Sequence, residues 1–175
     1  MRVVSGLLAI LVLAGLIAFQ PAHSEHYVIG APDEGALTYG FWPVESNTEG
    51  SYRWSDGESW LRFFGYGTAD ALAVELRVIG PQGSRGQGTT LRLSAGDVTL
   101  LEEPSKARWR TYHLLVPAKA AGWQVPELVV GGTITDAIPG DARGVGVALG
   151  EVRVRPLGGA RLSAIAEYAA FIALL

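Results

Sequence analysis

The 175-residue sequence contains no cysteine, which excludes disulfide bonds, thiolate metal sites and thiol catalysis. It has only three histidines and one asparagine, and its formal net charge is −3. The basic surface that binds nucleic acid is therefore lacking. Hydrophobic residues nevertheless make up 49% of the chain, too many for a disordered protein. The length suits one ordinary domain with a short appendage.

Charge is also missing from the amino-terminal region. The run Val3–Phe19 holds 17 uncharged residues. As a helix it would be about 26 Å long, close to the ~30 Å thickness of the hydrocarbon layer. Arg2 precedes it and Glu25 follows, a charge pattern that directs the following chain out of the cytoplasm. A signal peptide cleaved at Ala22-His23-Ser24 is the alternative, but the length of the run favours an uncleaved anchor spanning 1–24.

The carboxyl-terminal segment 162–175 is apolar apart from Glu167. Its 14 residues would form a helix of only about 21 Å, which is too short to cross a bilayer. Apolar residues cover nearly all of its faces, which a helix packed on a domain does not require. We therefore predict that residues 159–175 begin a second transmembrane helix and that the chain is truncated; an amphipathic packed helix is the alternative.

The middle of the sequence, residues 25–158, shows the period-two alternation of β-strands. Segment 70–79 is the clearest case, and 90–94, 109–116 and 145–155 follow the same pattern. Turn signals at Ser55-Asp56-Gly57, Ala95-Gly96-Asp97 and Gly131-Gly132 separate strands. These features predict a mainly β domain, an antiparallel two-sheet sandwich or jelly roll. The predicted core residues are Leu72, Val74, Leu76, Leu91, Leu93, Val147 and Val154.

Signatures of metal binding and catalysis are missing. The histidines lack the spacing of a transition-metal site, and neither a G-x-S-x-G motif nor a phosphate-binding loop ending in Lys-Ser/Thr occurs. Asp33-Glu34 and the stretch 136–141 contain carboxylates that could donate to calcium, but without fixed ligand spacing. They are better interpreted as turn carboxylates in water. We predict no catalytic residue, metal or cofactor.

Aromatic residues are more informative, because five tryptophans are present. Trp54 and Trp109 have strand-like surroundings and are assigned to the core, where large aromatic side chains usually lie. Trp42, Trp60 and Trp123 lie nearer predicted loops. They are candidates for stacking on a sugar ring or for contact with lipid headgroups, with core packing as the alternative.

Two groups of charged residues predict a structural network. Glu45, Glu49 and Arg53 lie close together in sequence, and Asp141 and Arg143 precede the last predicted strand. We expect a partly buried network that ties this strand to the first hairpin, with Arg143 paired to Asp141, Glu45 or Glu49. An arginine held by carboxylates is a strut and not a catalytic base.

Three short motifs carry a resemblance to known proteins. They are E-x-x-x-E-G-x-x-R-W at 45–54, W-x-x-Y-x-x-x-V-P at 109–117 and D-x-R-x-x-G-V at 141–147. With the flanking apolar segments, the chain resembles the extracytoplasmic, galactose-binding-like β-sandwich inserted after the first membrane helix of bacterial multi-pass, glycosyltransferase-like proteins of the Chloroflexi type. The resemblance implies that glycosyltransferase activity would lie in a downstream portion outside this chain.

The sequence therefore predicts a non-catalytic, membrane-tethered β-sandwich on the extracytoplasmic side of the cell membrane. Its expected partners are the lipid bilayer and either a glycan or a membrane-embedded protein, and not nucleic acid. A secreted carbohydrate-binding module and a small cell-envelope hydrolase are the alternatives. An exposed pair of aromatic side chains would favour the module, and a pocket with convergent carboxylates would favour the hydrolase.

Overall fold

The computed structural model describes residues 24–35, 37–66, 69–81, 89–117, 125–135 and 143–158. Ten β-strands lie in these ranges, and each strand pair among them is antiparallel. The strands are β1 (Glu25–Val28), β2 (Thr38–Phe41), β3 (Glu45–Asn47), β4 (Gly50–Arg62), β5 (Ala71–Ile79), β6 (Thr90–Ala95), β7 (Val98–Pro104), β8 (Arg110–Pro117), β9 (Glu127–Gly132) and β10 (Ala148–Leu157). The prediction of a mainly β domain is confirmed.

The strands form two hydrogen-bonded layers. In the first sheet, β10 is central and pairs with β5 on one side and with β1 on the other, while β8 pairs with β5. In the second sheet the order is β2-β4-β9-β6-β7. Buried side chains from both sheets form one hydrophobic core, so the architecture is the expected β-sandwich.

Strand β4 belongs to both sheets. Near its start, Arg53 and Trp54 pair with Leu149 and Ala148 of β10, and its later residues 58–62 pair with β9. Between these parts lies Gly57, whose φ of +108° a residue with a side chain rarely adopts. The turn predicted at Ser55-Asp56-Gly57 is therefore wrong: these residues lie inside a long strand, where β4 passes from one sheet to the other.

The core lies between the inner faces of the sheets. All seven residues predicted from the alternation are at most 1% exposed. In β5, for example, alternate residues point inward because successive side chains of a strand lie on opposite faces. Ile29, Phe63 and Tyr66, which lie outside the strands, complete the core, and the sequence pattern does not predict them.

Two other turn predictions have opposite outcomes. The turn at Gly96–Asp97 joins β6 to β7 as expected. The turn predicted at Gly131-Gly132 is wrong, because both glycines lie within β9, where they pair with β4 and β6. A glycine pair signals a turn locally, whereas its role in this sheet depends on distant strands.

The predicted membrane segments, 3–19 and 162–175, lie outside the described residues. Within the part of the chain that the structure describes, no helix has both the length and the apolarity needed to cross a bilayer.

Candidate functional site

The outer face of the first sheet carries charges that pair with one another. Glu75 lies 3.6 Å from the His113 ring and 3.9 Å from the Arg153 guanidinium. Glu151 lies 3.1 Å from His26, 3.5 Å from Arg77 and 3.9 Å from Arg153. The side chains of this ladder contact each other across the strands, as cross-strand neighbours of opposite charge do.

The outer face of the second sheet is organised differently, in two rows that cross the strands. We call the first the charged row. At its centre, Gly131 of β9 pairs with Glu58 of β4 on one side and with Arg92 of β6 on the other. Arg92 in turn pairs with Glu102 of β7. The glycine at the centre is buried and carries no side chain between an acid and a base, and the Gly57 carbonyl oxygen lies 3.2 Å from the position that a Cβ atom there would take.

The second row, which we call the aromatic row, begins with Tyr39 of β2 and Trp60 of β4. Trp60 pairs with Val129, and Val129 pairs with Ser94. Trp60 and Glu58 are two residues apart on the same strand, so the two rows lie side by side on one face.

A groove of about 630 Å³ opens over the charged row and the β9–β6 part of the aromatic row, and neither Tyr39 nor Trp60 lines it. Its lining includes the charged row, Ser94 and Val129 of the aromatic row, and Asp97 in the β6–β7 turn. A volume between about 300 and 1,000 Å³ is typical of sites for small ligands. Positions 131 and 132 lack side chains, so the backbone of β9 forms part of the groove surface.

The charged side chains of the groove lack the mutual pairing found on the first sheet. Within the described ranges, the carboxylates of Glu58, Asp97 and Glu102 make no ion pair and accept no side-chain hydrogen bond. Arg92 donates to the Thr99 hydroxyl at 3.3 Å. These groups are accessible to solvent and to a ligand.

Tyr39 and Trp60 form an aromatic platform at the β2 side of the face. Their ring centroids are 5.7 Å apart, and the planes are inclined at 53°. The Arg62 guanidinium lies 4.8 Å from the Tyr39 ring centroid and is held by Glu127 at 2.8 Å. Tyr39 is 58% exposed, so a large aromatic surface faces solvent.

The predicted structural network is partly present. Arg143 donates to Glu45 at 2.6 Å, and the other oxygen of Glu45 accepts from Trp54 Nε1 at 3.3 Å and from the Tyr52 hydroxyl at 3.4 Å. Burial raises the pKa of Tyr52, and the negative charge of Glu45 raises it further. This cluster joins β3, β4 and the segment before β10.

Arg53 has a different carboxylate partner from those expected. Its Nε donates at 2.7 Å to Glu34, which is 4% exposed and also accepts from the Gly30 amide at 2.6 Å and from the Thr38 hydroxyl. Among the described residues, the carboxylate of Glu49 forms no ion pair, and Asp141 lies outside them. The prediction for Arg53 and Glu49 is therefore corrected, and Glu34 is a buried structural carboxylate rather than a turn residue in water.

The tryptophans separate into three groups. Trp54 is buried and Trp109 packs against it through a second small core, with the Arg77 guanidinium 4.4 Å from the Trp109 ring centroid. Trp42 donates from Nε1 to the Gly144 carbonyl at 3.1 Å and contacts the same small core. Trp60 is the predicted candidate on the outer face of the second sheet, beside the groove and not in its lining, and it lies in a strand rather than near a loop. Trp123 lies outside the described residues.

No protein-family model matches the chain, and no match is found among curated proteins. Solved structures with some similarity include the C-terminal family 6 carbohydrate-binding module of a marine laminarinase from Zobellia galactanivorans, at 12% identity and a TM-score of 0.44, covering 76% of this chain and 99% of that one.

A Podospora anserina β-(1,4)-mannanase with a family 35 module is 11% identical over 79% of this chain and 28% of that one, with a TM-score of 0.45. A variant of a family 29 carbohydrate-binding module is 14% identical over 77% and 93% of the two chains, with a TM-score of 0.41. These TM-scores lie below 0.5, so the similarities carry no argument about the ligand of this chain.

Metal ligands do not converge in the described segments: no group of three or more histidines and carboxylates there could hold a metal ion. The groove offers hydrogen-bonding groups, and the aromatic platform lies beside it on the same face of the sheet.

Proposed function

We propose that the sandwich is a non-catalytic carbohydrate-binding domain whose site is the groove of the second sheet. One observation carries this proposal: the Tyr39–Trp60 platform, in which Tyr39 is exposed and Trp60 is half-buried, lies on the same face as charged side chains that have no ion-pair partner among the described residues. The charges of the ladder on the first sheet, by contrast, pair with one another. Carbohydrate binding is the function expected of the secreted module that the sequence analysis gave as an alternative. It is also compatible with a domain tethered to a membrane.

A sugar ring has the chemistry that this face can recognise. Its C–H groups form an apolar surface that packs on an aromatic ring, while its hydroxyls both donate and accept hydrogen bonds. Carboxylates such as Glu58 accept from hydroxyls, and the Arg92 guanidinium donates to them, with the strength of charge-assisted bonds. A nucleic acid would instead need a predominantly basic face.

The acids of the charged row are spread across the groove. Glu58 and Glu102 lie on strands separated by β9 and β6. At about 4.8 Å per strand, their Cα atoms are roughly 14 Å apart. The two carboxylates therefore offer hydrogen-bond acceptors on both sides of Arg92.

The test is a glycan array probed with the full chain, kept in solution with a polyoxyethylene detergent that has no sugar headgroup. We expect binding to glycans that Tyr39→Ala and Trp60→Ala each weaken at least about tenfold, a loss of about 1.4 kcal/mol. Phe64→Ala is the matched control, because Phe64 is exposed to a similar extent, at 53%, and is not part of the groove.

Binding that survives both platform substitutions would place the ligand elsewhere, and an array without any bound glycan would contradict the proposal. Melting temperatures of the three variants accompany the array, so that a loss of binding is not mistaken for a loss of folding.

We further propose that this domain is tethered to the cell membrane on its extracytoplasmic side. The uncharged run Val3–Phe19, with Arg2 before it, supports the tether. The bilayer would then be one partner of the domain. That the domain is the accessory part of a glycosyltransferase-like membrane protein stays a prediction from the resemblance.

Fractionation of cells that express a carboxyl-terminally tagged chain distinguishes an anchor from a signal peptide. We expect full-length protein in the membrane fraction after a carbonate wash. A protein recovered in soluble form with its amino terminus near Glu25 would contradict the anchor.

A further inference from the structure

The position over Gly131 in the charged row is a candidate subsite for a single sugar unit. Glu58 and Arg92 both pair with Gly131, so they flank it from opposite sides. Two strand steps separate their Cα atoms by about 10 Å, with no side chain at the position between them. Both flanking side chains line the groove, and a ring lying over Gly131 would meet an acceptor on one side and a donor on the other.

Hydroxyl groups match this pair, because each can donate to a carboxylate and accept from a guanidinium. Glu58 is not engaged in an ion pair within the described ranges, so a ligand need not displace a competing partner there. The Trp60 ring lies two residues along β4, so the same ligand can reach the aromatic platform.

The remaining charges of the groove determine which sugars are tolerated. Asp97 and Glu102 add two carboxylates near Arg92, so the lining contains three acids and one base, a net charge of −2. Arg92 would attract a carboxylate-bearing sugar, but the surrounding acids oppose it by like-charge repulsion.

We propose that the groove binds an uncharged sugar unit over Gly131, between Glu58 and Arg92, and that Asp97 and Glu102 reject sugars that carry a carboxylate. This inference rests on the proposed carbohydrate-binding function and names the class of ligand: neutral, unsubstituted glycans in preference to uronate-containing ones.

Affinity electrophoresis of the full chain in the same detergent tests it with three neutral polymers (laminarin, galactomannan and hydroxyethyl cellulose) and with polygalacturonate. We expect the wild-type chain to be retarded by at least one neutral polymer and not by polygalacturonate. Glu58→Gln should weaken the neutral complex about 10- to 100-fold, because one charge-assisted hydrogen bond is lost.

The double variant Asp97→Asn/Glu102→Gln should gain a function. We expect polygalacturonate to bind it at least about tenfold more tightly than the wild type, and the added substitution Arg92→Gln to remove this gain. Glu49→Gln is the matched control for Glu58→Gln, because each removes one negative charge and Glu49 is exposed outside the groove. It should leave both kinds of binding unchanged.

Equal binding of polygalacturonate and neutral polymers by the wild type, or no gain in the double variant, would overturn the charge selection. Neutral binding that depends on Trp60 but is unaffected by Glu58→Gln would overturn the subsite and leave the proposed function intact. Failure to bind any neutral polymer would overturn this inference. The proposed function would be overturned only if, in addition, the glycan array showed no bound glycan.

Discussion

At the scale of single residues, Glu34 is the clearest example of a charge that stabilises the fold. Its carboxylate is almost fully buried and is satisfied by the Arg53 guanidinium, the Gly30 amide and the Thr38 hydroxyl. Buried carboxylates persist in folded proteins when they are paired and hydrogen-bonded in this way. The contacts hold the segment between β1 and β2 against the start of β4.

We expect Glu34→Ala to lower the free energy of unfolding by about 3–5 kcal/mol, because it leaves the partly buried Arg53 and two further donors without their acceptor. Urea unfolding followed by tryptophan fluorescence measures the change. Asp33→Ala is the control, because Asp33 is exposed beside Glu34, and it should alter stability by less than about 0.5 kcal/mol. A Glu34→Ala variant as stable as the control would show that the pair contributes nothing net.

At the scale of elements, Gly132 at the end of β9 occupies a position that has no room for a side chain. Its φ is +144°, and a Cβ atom there would lie 1.7 Å from the carbonyl oxygen of Thr90 on β6. Alanine at this position should separate β6 from β9 and cost more than the roughly 1–3 kcal/mol of backbone strain alone.

Gly50→Ala provides the comparison for Gly132→Ala. Gly50 also has a positive φ, +125°, but no atom lies within 4 Å of the position that a Cβ atom would take there. Urea unfolding should therefore show only the strain for Gly50→Ala and a clearly larger loss for Gly132→Ala. Equal losses in the two variants would mean that the contact with Thr90 relaxes without cost.

Some elements can be predicted from the sequence and others cannot, for physical reasons. The segment 70–79 is identifiable because its alternation is unbroken and local. The passage of β4 between the sheets and the strand position of Gly131 depend on pairing with β9 and β10, which lie far along the chain. Local glycine signals cannot distinguish a turn from a close strand contact.

The same distinction applies to the candidate site. Trp60 is among the predicted stacking residues, but Tyr39 and the charged row are not. The alternation of Glu58, Trp60 and Arg62 with inward-facing residues is a usable signal for one outer face of β4. The position of Arg92 beside Gly131 is not accessible to sequence reasoning, because it requires the β6–β9 register.

At the scale of the whole molecule, one hydrogen bond joins the two sheets at their edges. Tyr112 of β8, in the first sheet, donates to Glu103 of β7, in the second sheet, at 2.8 Å. The pKa of Tyr112 is raised to about 12, first by burial and then by the hydrogen bond to Glu103 and the negative charge of that carboxylate.

This shift predicts a loss of stability in alkaline solution. Below pH 10 the phenol is protonated in both the folded and the unfolded chain, so its contribution is fully present. Between pH 10 and about 12 the unfolded chain loses the proton first, and stability falls as the pH rises. Tyr112→Phe should reduce this slope in urea unfolding at about pH 9–12, and Glu103→Gln should make the fall smaller and end it at a lower pH, because it lowers only the folded pKa of Tyr112. An unchanged slope in Tyr112→Phe would contradict the assignment.

The central position of β10 has a consequence for biosynthesis. This strand pairs with β1, β4 and β5, yet it follows all of them along the chain. During translation, the first sheet therefore cannot close until residues 148–157 have left the ribosome, because its earlier strands still lack their common neighbour. Until then β1 has no partner among the described strands, although β5 can already pair with β8 and the second sheet can already assemble. The last strand to be synthesised is thus the one that closes the first sheet.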